Sequence, residues 1–202
     1  MLQEIILLTG EVEGPHLGDM LRRFNPALTI THVQDATQLQ AVCEASSSQD
    51  GNRRMIAFCT SIIVPGQVLA LMDAGAYNFH PGPPNYPGTH PASYAIYESA
   101  ARYGVTAHEM VESVDSGTIV AVDKFDIPSS ARFADLELIA FKALVVLFSR
   151  LAERLATDAS LLPASGEVWS GTTSTTREFE RMREVTVEMD EEEIKRRFRA
   201  FG

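Results

Sequence analysis

The chain has 202 residues, which fits one domain with a small appendage and is too short for two full-sized ones. Its 45% hydrophobic and 22% charged residues are those of a folded globule and exclude disorder or low complexity. A net charge of −10 repels phosphate backbones and anionic lipid, so neither nucleic acid nor a membrane surface is an expected partner.

In chain order, residues 4–9 are a continuous apolar run, as expected of a strand buried on both faces. Residues 17–24 read as a helix stopped by Asn25-Pro26. Residues 28–33 read as a β-branched strand and 36–45 as a helix. A polar loop over 46–52 leads to a third strand over 55–60. Residues 65–74 predict a short helix and 76–79 a fourth strand. After a turn-rich stretch come a helix over 94–102, strands over 104–111 and 118–125, and a long amphipathic helix over 134–156. From Ser165 onward the chain turns Ser/Thr-rich and ends in a charged helix, with Asp190 and Glu193 placed as a capping box. This alternation predicts an α/β fold: a doubly wound, Rossmann-like, mostly parallel sheet with helices on both faces. The expected division is a catalytic domain over 1–160 and a C-terminal extension over 161–202.

Two cysteines, Cys43 and Cys59, cannot form a disulfide framework and are expected to be small buried hydrophobes. No basic segment precedes the apolar start, and Glu137 and Lys142 interrupt the longest greasy stretch, which predicts a cytoplasmic protein without a membrane span. Gly10, Gly14 and Gly18 do not have dinucleotide-loop spacing, and Glu11 and Glu13 would repel a pyrophosphate, so a turn with helix entry is expected there. Among the histidines, His16 and His32 are read as structural, and His80, His90 and His108 match no metal-ligand spacing, so no metal is expected.

The informative segment is Tyr77-Asn78-Phe79-His80, followed by four prolines and two glycines before Thr89. Strand alternation aims Asn78 and His80 to one side and turns Phe79 into the core. A rigid loop after them lowers the entropy cost of keeping a site open. On its own, Asn-x-His fits a satisfied polar pair at a strand end equally well.

Thr106-Ala107-His108-Glu109-Met110 and Ser113-Val114-Asp115-Ser116-Gly117-Thr118-Ile119-Val120 follow in order. Together with Asn-x-His they resemble the formyltransferase family that uses 10-formyltetrahydrofolate, best over residues 56–120. The resemblance implies a doubly wound catalytic domain in which Asn78, His80 and Asp115 are catalytic. It implies that the folate lies against Ser61, Ile62 and Val64 on one side and the 111–115 loop, with Val111, Val114 and Asp115, on the other. His108 is expected only to support the site from its strand. Asn78 would donate to the oxyanion of formyl transfer, His80 would exchange a proton near neutrality, and Asp115 would orient and favour the imidazolium.

The glycine-rich phosphate loop of the glycinamide ribonucleotide enzymes is not found after the first strand, and at 202 residues neither the basic C-terminal domain of the methionyl-tRNA enzymes nor the N-terminal domain of the folate hydrolases is expected. By elimination the expected reaction is N-formylation of a small-molecule amine or nucleotide sugar, with a homodimer left open. A formyltetrahydrofolate hydrolase and a non-catalytic folate- or nucleotide-binding module remain the alternatives. Arg177, Arg181 and Arg183 are read as solvated rather than as a phosphate site.

Overall fold

The computed structural model describes residues 2–45 and 52–202; the polar loop over 46–52 lies, apart from Asn52, outside the described residues. Six strands form one sheet in the order β2-β1-β3-β4-β5-β6. They are β1 (Glu4–Leu8), β2 (Thr29–Val33), β3 (Arg53–Phe58), β4 (Ala76–His80), β5 (Arg102–Glu109) and β6 (Ile119–Asp126). The first four pair in parallel, and β5 and β6 add an antiparallel edge.

Between them lie α1 (Glu13–Arg22), α2 (Ala36–Ala45), α3 (Gly66–Leu69) and α4 (Pro91–Tyr97). The long α5 (Phe133–Thr157) follows, and α6 (Thr176–Arg183) and α7 (Glu191–Phe201) close the chain. The strand period of two sorts the core into two layers. Ile5, Leu7, Ile56, Phe58, Tyr77 and Phe79 face one way and pack against Leu17 and Leu21 of α1 and Leu144, Leu147 and Phe148 of α5. Ile6, Leu8, Met55, Ala57 and Ala76 face the other way, against Leu39 of α2 and Val68 of α3. Helices on both faces explain why β1 and β3 carry apolar residues without alternation.

One charge sits fully inside. Arg54 of β3 has 0% exposure and donates to the carbonyls of Ala74 (2.9 Å), Leu155 (2.8 Å), Ser160 (2.8 Å) and Arg154 (3.2 Å). Two of these belong to the last turn of α5, the negative end of its dipole. Burial pulls the Arg54 pKa below its ordinary value, and the carbonyls satisfy the cation without a carboxylate.

Boundaries depart from expectation where local chemistry is ambiguous. Helix α1 begins at Glu13, four residues earlier than predicted, because Gly14 packs without a side chain against the His32 ring of β2. Helix α3 keeps only four residues of the predicted ten. Helix α4 starts at Pro91, whose fixed φ suits a first turn, and ends early because the chain re-enters the sheet at Arg102. Helix α6 was not predicted; a reciprocal box between Thr175 and Glu178 starts it. Cys43 is half-buried and Cys59 exposed, against the expectation for both. Cys59 adopts a positive φ of 46° just past β3, where the chain leaves the core.

Candidate active site

A small cleft of about 120 Å³, partly open to solvent, lies beyond the carboxyl ends of β3 and β4, where ligands bind in open α/β sheets. One wall is residues 60–64, after β3, and the opposite wall is residues 110–115, after β5. Ser61, Ile62, Val64, Val111 and Val114 all line it, and Ile63, Val111 and Val114 are exposed there. Asn78, His80, His108 and Asp115 form its floor.

Three devices bring the four together. Asn78 and His80 share the face of β4 opposite Phe79, which is fully buried against Phe58 and Phe148. The antiparallel pairing of β4 with β5 sets Asn78 directly across from His108. That unbroken register keeps His108 on the site face of β5, while the pairing with β6 shifts by one residue there, leaving Val120 of β6 as the extra residue. Asp115 projects from the loop between β5 and β6 with a left-handed φ of 45°.

These side chains form one hydrogen-bonded cluster. The Asp115 carboxylate accepts from the Gly88 backbone N–H at 2.7 Å. It faces His108 Nε2 at 3.1 Å and His80 Nδ1 at 3.3 Å. Asn78 Nδ2 lies 3.2 Å from His108 Nε2 and 3.5 Å from Asp115 Oδ1. The second nitrogen of each ring meets a backbone carbonyl, Tyr86 for His80 at 3.0 Å and Glu109 for His108 at 2.8 Å. A carbonyl only accepts, so those nitrogens carry hydrogen and the other nitrogen of each ring faces the carboxylate. Gly88 makes its contact possible: its φ is 97°, and a side chain there would collide with the Ser174 backbone.

The electrostatics follow from burial. His80, His108 and Asp115 are 4%, 3% and 7% exposed. Burial alone would raise the Asp115 pKa, but the His108 hydrogen bond, the His80 charge and the Gly88 N–H outweigh it and hold it at about 2. Burial likewise pushes His80 below its ordinary value, and the Asp115 carboxylate offsets this only in part. The cluster thus presents an anion beside an imidazole whose charged form is disfavoured by burial. Asn78 has two amide hydrogens; its Nδ2 lies within reach of both His108 and Asp115, and the side chain lines the cleft.

The structure brings every predicted site residue to this one cleft. It also makes His108 a full member, in contact with both Asn78 and Asp115, rather than a strand residue behind the site. Sequence reasoning missed Gly88, Trp169 and the Tyr86 carbonyl. The Pro-Gly step at Pro87-Gly88 was the one available signal, for Gly88. Trp169 packs edge-to-face on both imidazoles. Among the described residues no group of three or more His, Cys, Asp or Glu side chains is placed to hold a metal ion, and no helix is long and apolar enough to cross a membrane.

A carboxamide, two imidazoles and a carboxylate converge at the strand ends of a doubly wound sheet, groups that can exchange protons and donate to an oxygen. The model of the formyl transferase family matches residues 29–138, more than half of the chain, and the chain belongs to that family. Its fold is that of the Shewanella sugar N-formyltransferase, with 15% identity over 99% of this chain and 88% of that one at a TM-score of 0.76. The Helicobacter canadensis N-formyltransferase, solved with folinic acid and dTDP-3-aminofucose, is 16% identical over 100% and 81% of the two chains, at 0.72. The Anoxybacillus kamchatkensis formyltransferase PseJ, solved with a UDP-linked formamido sugar and tetrahydrofolate, is 19% identical over 88% of each chain, at 0.70.

Proposed function

We propose that the chain transfers the formyl group of 10-formyltetrahydrofolate to the primary amine of a small molecule, and that Asn78, His80 and Asp115 carry the reaction. The observation that supports this most is the convergence of those side chains on the floor of a cleft whose two walls are the expected folate segments. Within this reading residues 1–160 are the catalytic unit and 161–202 an extension packed onto it.

The pterin ring lies between the 61–64 wall and Val111 and Val114, with the formyl carbon above Asn78. The acceptor nitrogen bonds to that carbon, and an amide hydrogen of Asn78 turns to the oxyanion that forms and stabilises it. One preorganised donor of this kind is worth about 2.7–4 kcal/mol. The amine's proton passes to His80, whose longest contact, Nδ1 to Asp115, is the one that opens to receive it. Asp115 remains anionic and stabilises the imidazolium. The oxyanion then collapses to the formamide carbonyl as the bond from carbon to N10 breaks, and the His80 imidazolium returns its proton to N10 as tetrahydrofolate leaves.

No Lys or Arg is among the residues lining the cleft, so the amine end of the acceptor enters it and any diphosphate stays outside. The folate- and nucleotide-sugar-bound relatives support an amino sugar carried on a nucleotide as the acceptor class. The test is tetrahydrofolate release from 10-formyltetrahydrofolate across a panel of amines, including nucleotide-linked amino sugars. Release that needs an amine and disappears in His80→Ala supports the reading. Formate production at the same rate without amine overturns it in favour of hydrolysis, and no turnover with tight folate binding overturns it in favour of a binding module.

A further inference from the structure

Trp169 is the single tryptophan of the chain, and the scheme above gives it no part. Its indole meets the His108 ring edge-to-face at 5.0 Å and 87°, and the His80 ring at 6.0 Å and 70°. Its Nε1–H donates to the Gly117 carbonyl at 2.8 Å. Gly117 stands two residues beyond Asp115, in the same loop. A side chain at Gly117 would strike the Glu109 carbonyl, so this loop is wedged against the end of β5.

Asp115 itself holds a left-handed φ of 45°, a conformation that costs a non-glycine residue on the order of 1 kcal/mol or more and persists only under outside constraint. The backbone around the indole is pinned in turn. Ser170 N–H donates to the Pro84 carbonyl at 3.1 Å and Ser174 N–H to that of Pro87 at 3.0 Å, both in the loop that follows His80. One side chain therefore touches both imidazoles and the loop that carries the carboxylate, from a position outside the cleft lining.

We propose that Trp169 is a positioning residue for formyl transfer: it keeps water from the His80–Asp115–His108 cluster on the side away from the cleft and holds the Asp115 loop in register. The inference rests on the roles given to His80 and Asp115 above. The charged and titratable groups facing His80 are Asp115 and His108; Tyr86 presents only its carbonyl, and Trp169 adds no charge. Burial is the largest influence on the His80 imidazole, so admitting water by removing the indole favours the imidazolium and moves its titration to higher pH.

The experiment compares the unmodified chain with Trp169→Phe and Trp169→Ala, recording the His80 titration by NMR and the pH profile of kcat/KM. For Trp169→Ala the expected result is a His80 midpoint and an acid limb that rise together, with kcat at least about tenfold lower, a part of what a general base contributes. Trp169→Phe keeps the aromatic shield, so its midpoint stays near that of the unmodified chain and kcat drops only a few-fold through loss of the Gly117 bond.

A folded Trp169→Ala protein with unchanged midpoint and unchanged kcat overturns the inference. A raised midpoint with an unmoved rate limb upholds the shield and overturns instead the assignment of His80 as the base. One check needs no variant, because imidazolium quenches indole emission. The fluorescence of this single tryptophan is expected to fall along the acid limb of the rate profile, and flat emission there overturns the contact.

Discussion

Asp115→Asn removes one charge from the cluster and changes its shape very little. The carboxylate accepts from Gly88 N–H at 2.7 Å and faces His108 at 3.1 Å and His80 at 3.3 Å. Despite the opposing effect of burial, these partners hold its pKa at about 2, against 3.8 for a free aspartate. A carboxyl depressed in the folded state gives stability that is complete above the unfolded pKa and fades as pH falls through the folded one. A shift of a little under two pH units, at about 1.4 kcal/mol each, makes this about 2–3 kcal/mol at neutrality, with about half of it gone by pH 3. Urea unfolding of both proteins across pH measures it directly. The expected gap is about 2–3 kcal/mol in favour of the unmodified chain between about pH 5 and 7, narrowing below about pH 4. A gap at about pH 3 as large as the one at pH 7, or an asparagine variant more stable at neutrality, refutes the reasoning.

Asn78→Ala removes one oxyanion donor and is expected to lower kcat about a hundred- to a thousand-fold with little change in folate affinity; single-turnover rates check it, and a loss under about tenfold denies Asn78 that role. Because burial holds His80 below its ordinary value, the acid limb of kcat/KM is expected below about pH 6.5. Rate falls as His80 gains its proton. Asp115→Asn deletes the group that favours the imidazolium, so its residual activity should show that limb at lower pH, opposite to the shift expected for Trp169→Ala; a limb that stays in place removes Asp115 from the proton path. Arg54→Met leaves four carbonyls without their donor and is expected to destabilise the fold by about 3 kcal/mol or more, read by urea unfolding; a loss below about 1 kcal/mol contradicts that reading of the buried cation.

Much of the architecture was legible because it is local. Unbroken apolar runs such as Ile5-Ile6-Leu7-Leu8 mark strands covered on both faces, and the period of two fixes Asn78 and His80 on one side with Phe79 on the other. Asp115 was legible only through the order of segments shared with a family, since nothing local announces a loop carboxylate that folds back onto a strand.

The remaining features depend on tertiary geometry. The antiparallel register that sets His108 across from Asn78 is a pairing between distant segments, so β5 alone did not show that His108 reaches the cluster. Trp169 sits in a segment without periodicity, and its contacts with His80 and His108 are made entirely across the fold. The Thr175-x-x-Glu178 capping pattern did signal α6, but the surrounding Ser/Thr-rich run obscured it.

The central claim is that the formyl carbon of the folate comes to rest above Asn78 and His80, between the 61–64 and 111–115 walls. A crystal structure of the chain with 5-formyltetrahydrofolate, a stable analogue, measures this most directly. The expected result is a pterin ring against Ile62 and Val114 with its formyl oxygen within hydrogen-bonding distance of Asn78 Nδ2. A folate bound elsewhere, or one whose formyl oxygen points away from Asn78, contradicts the account.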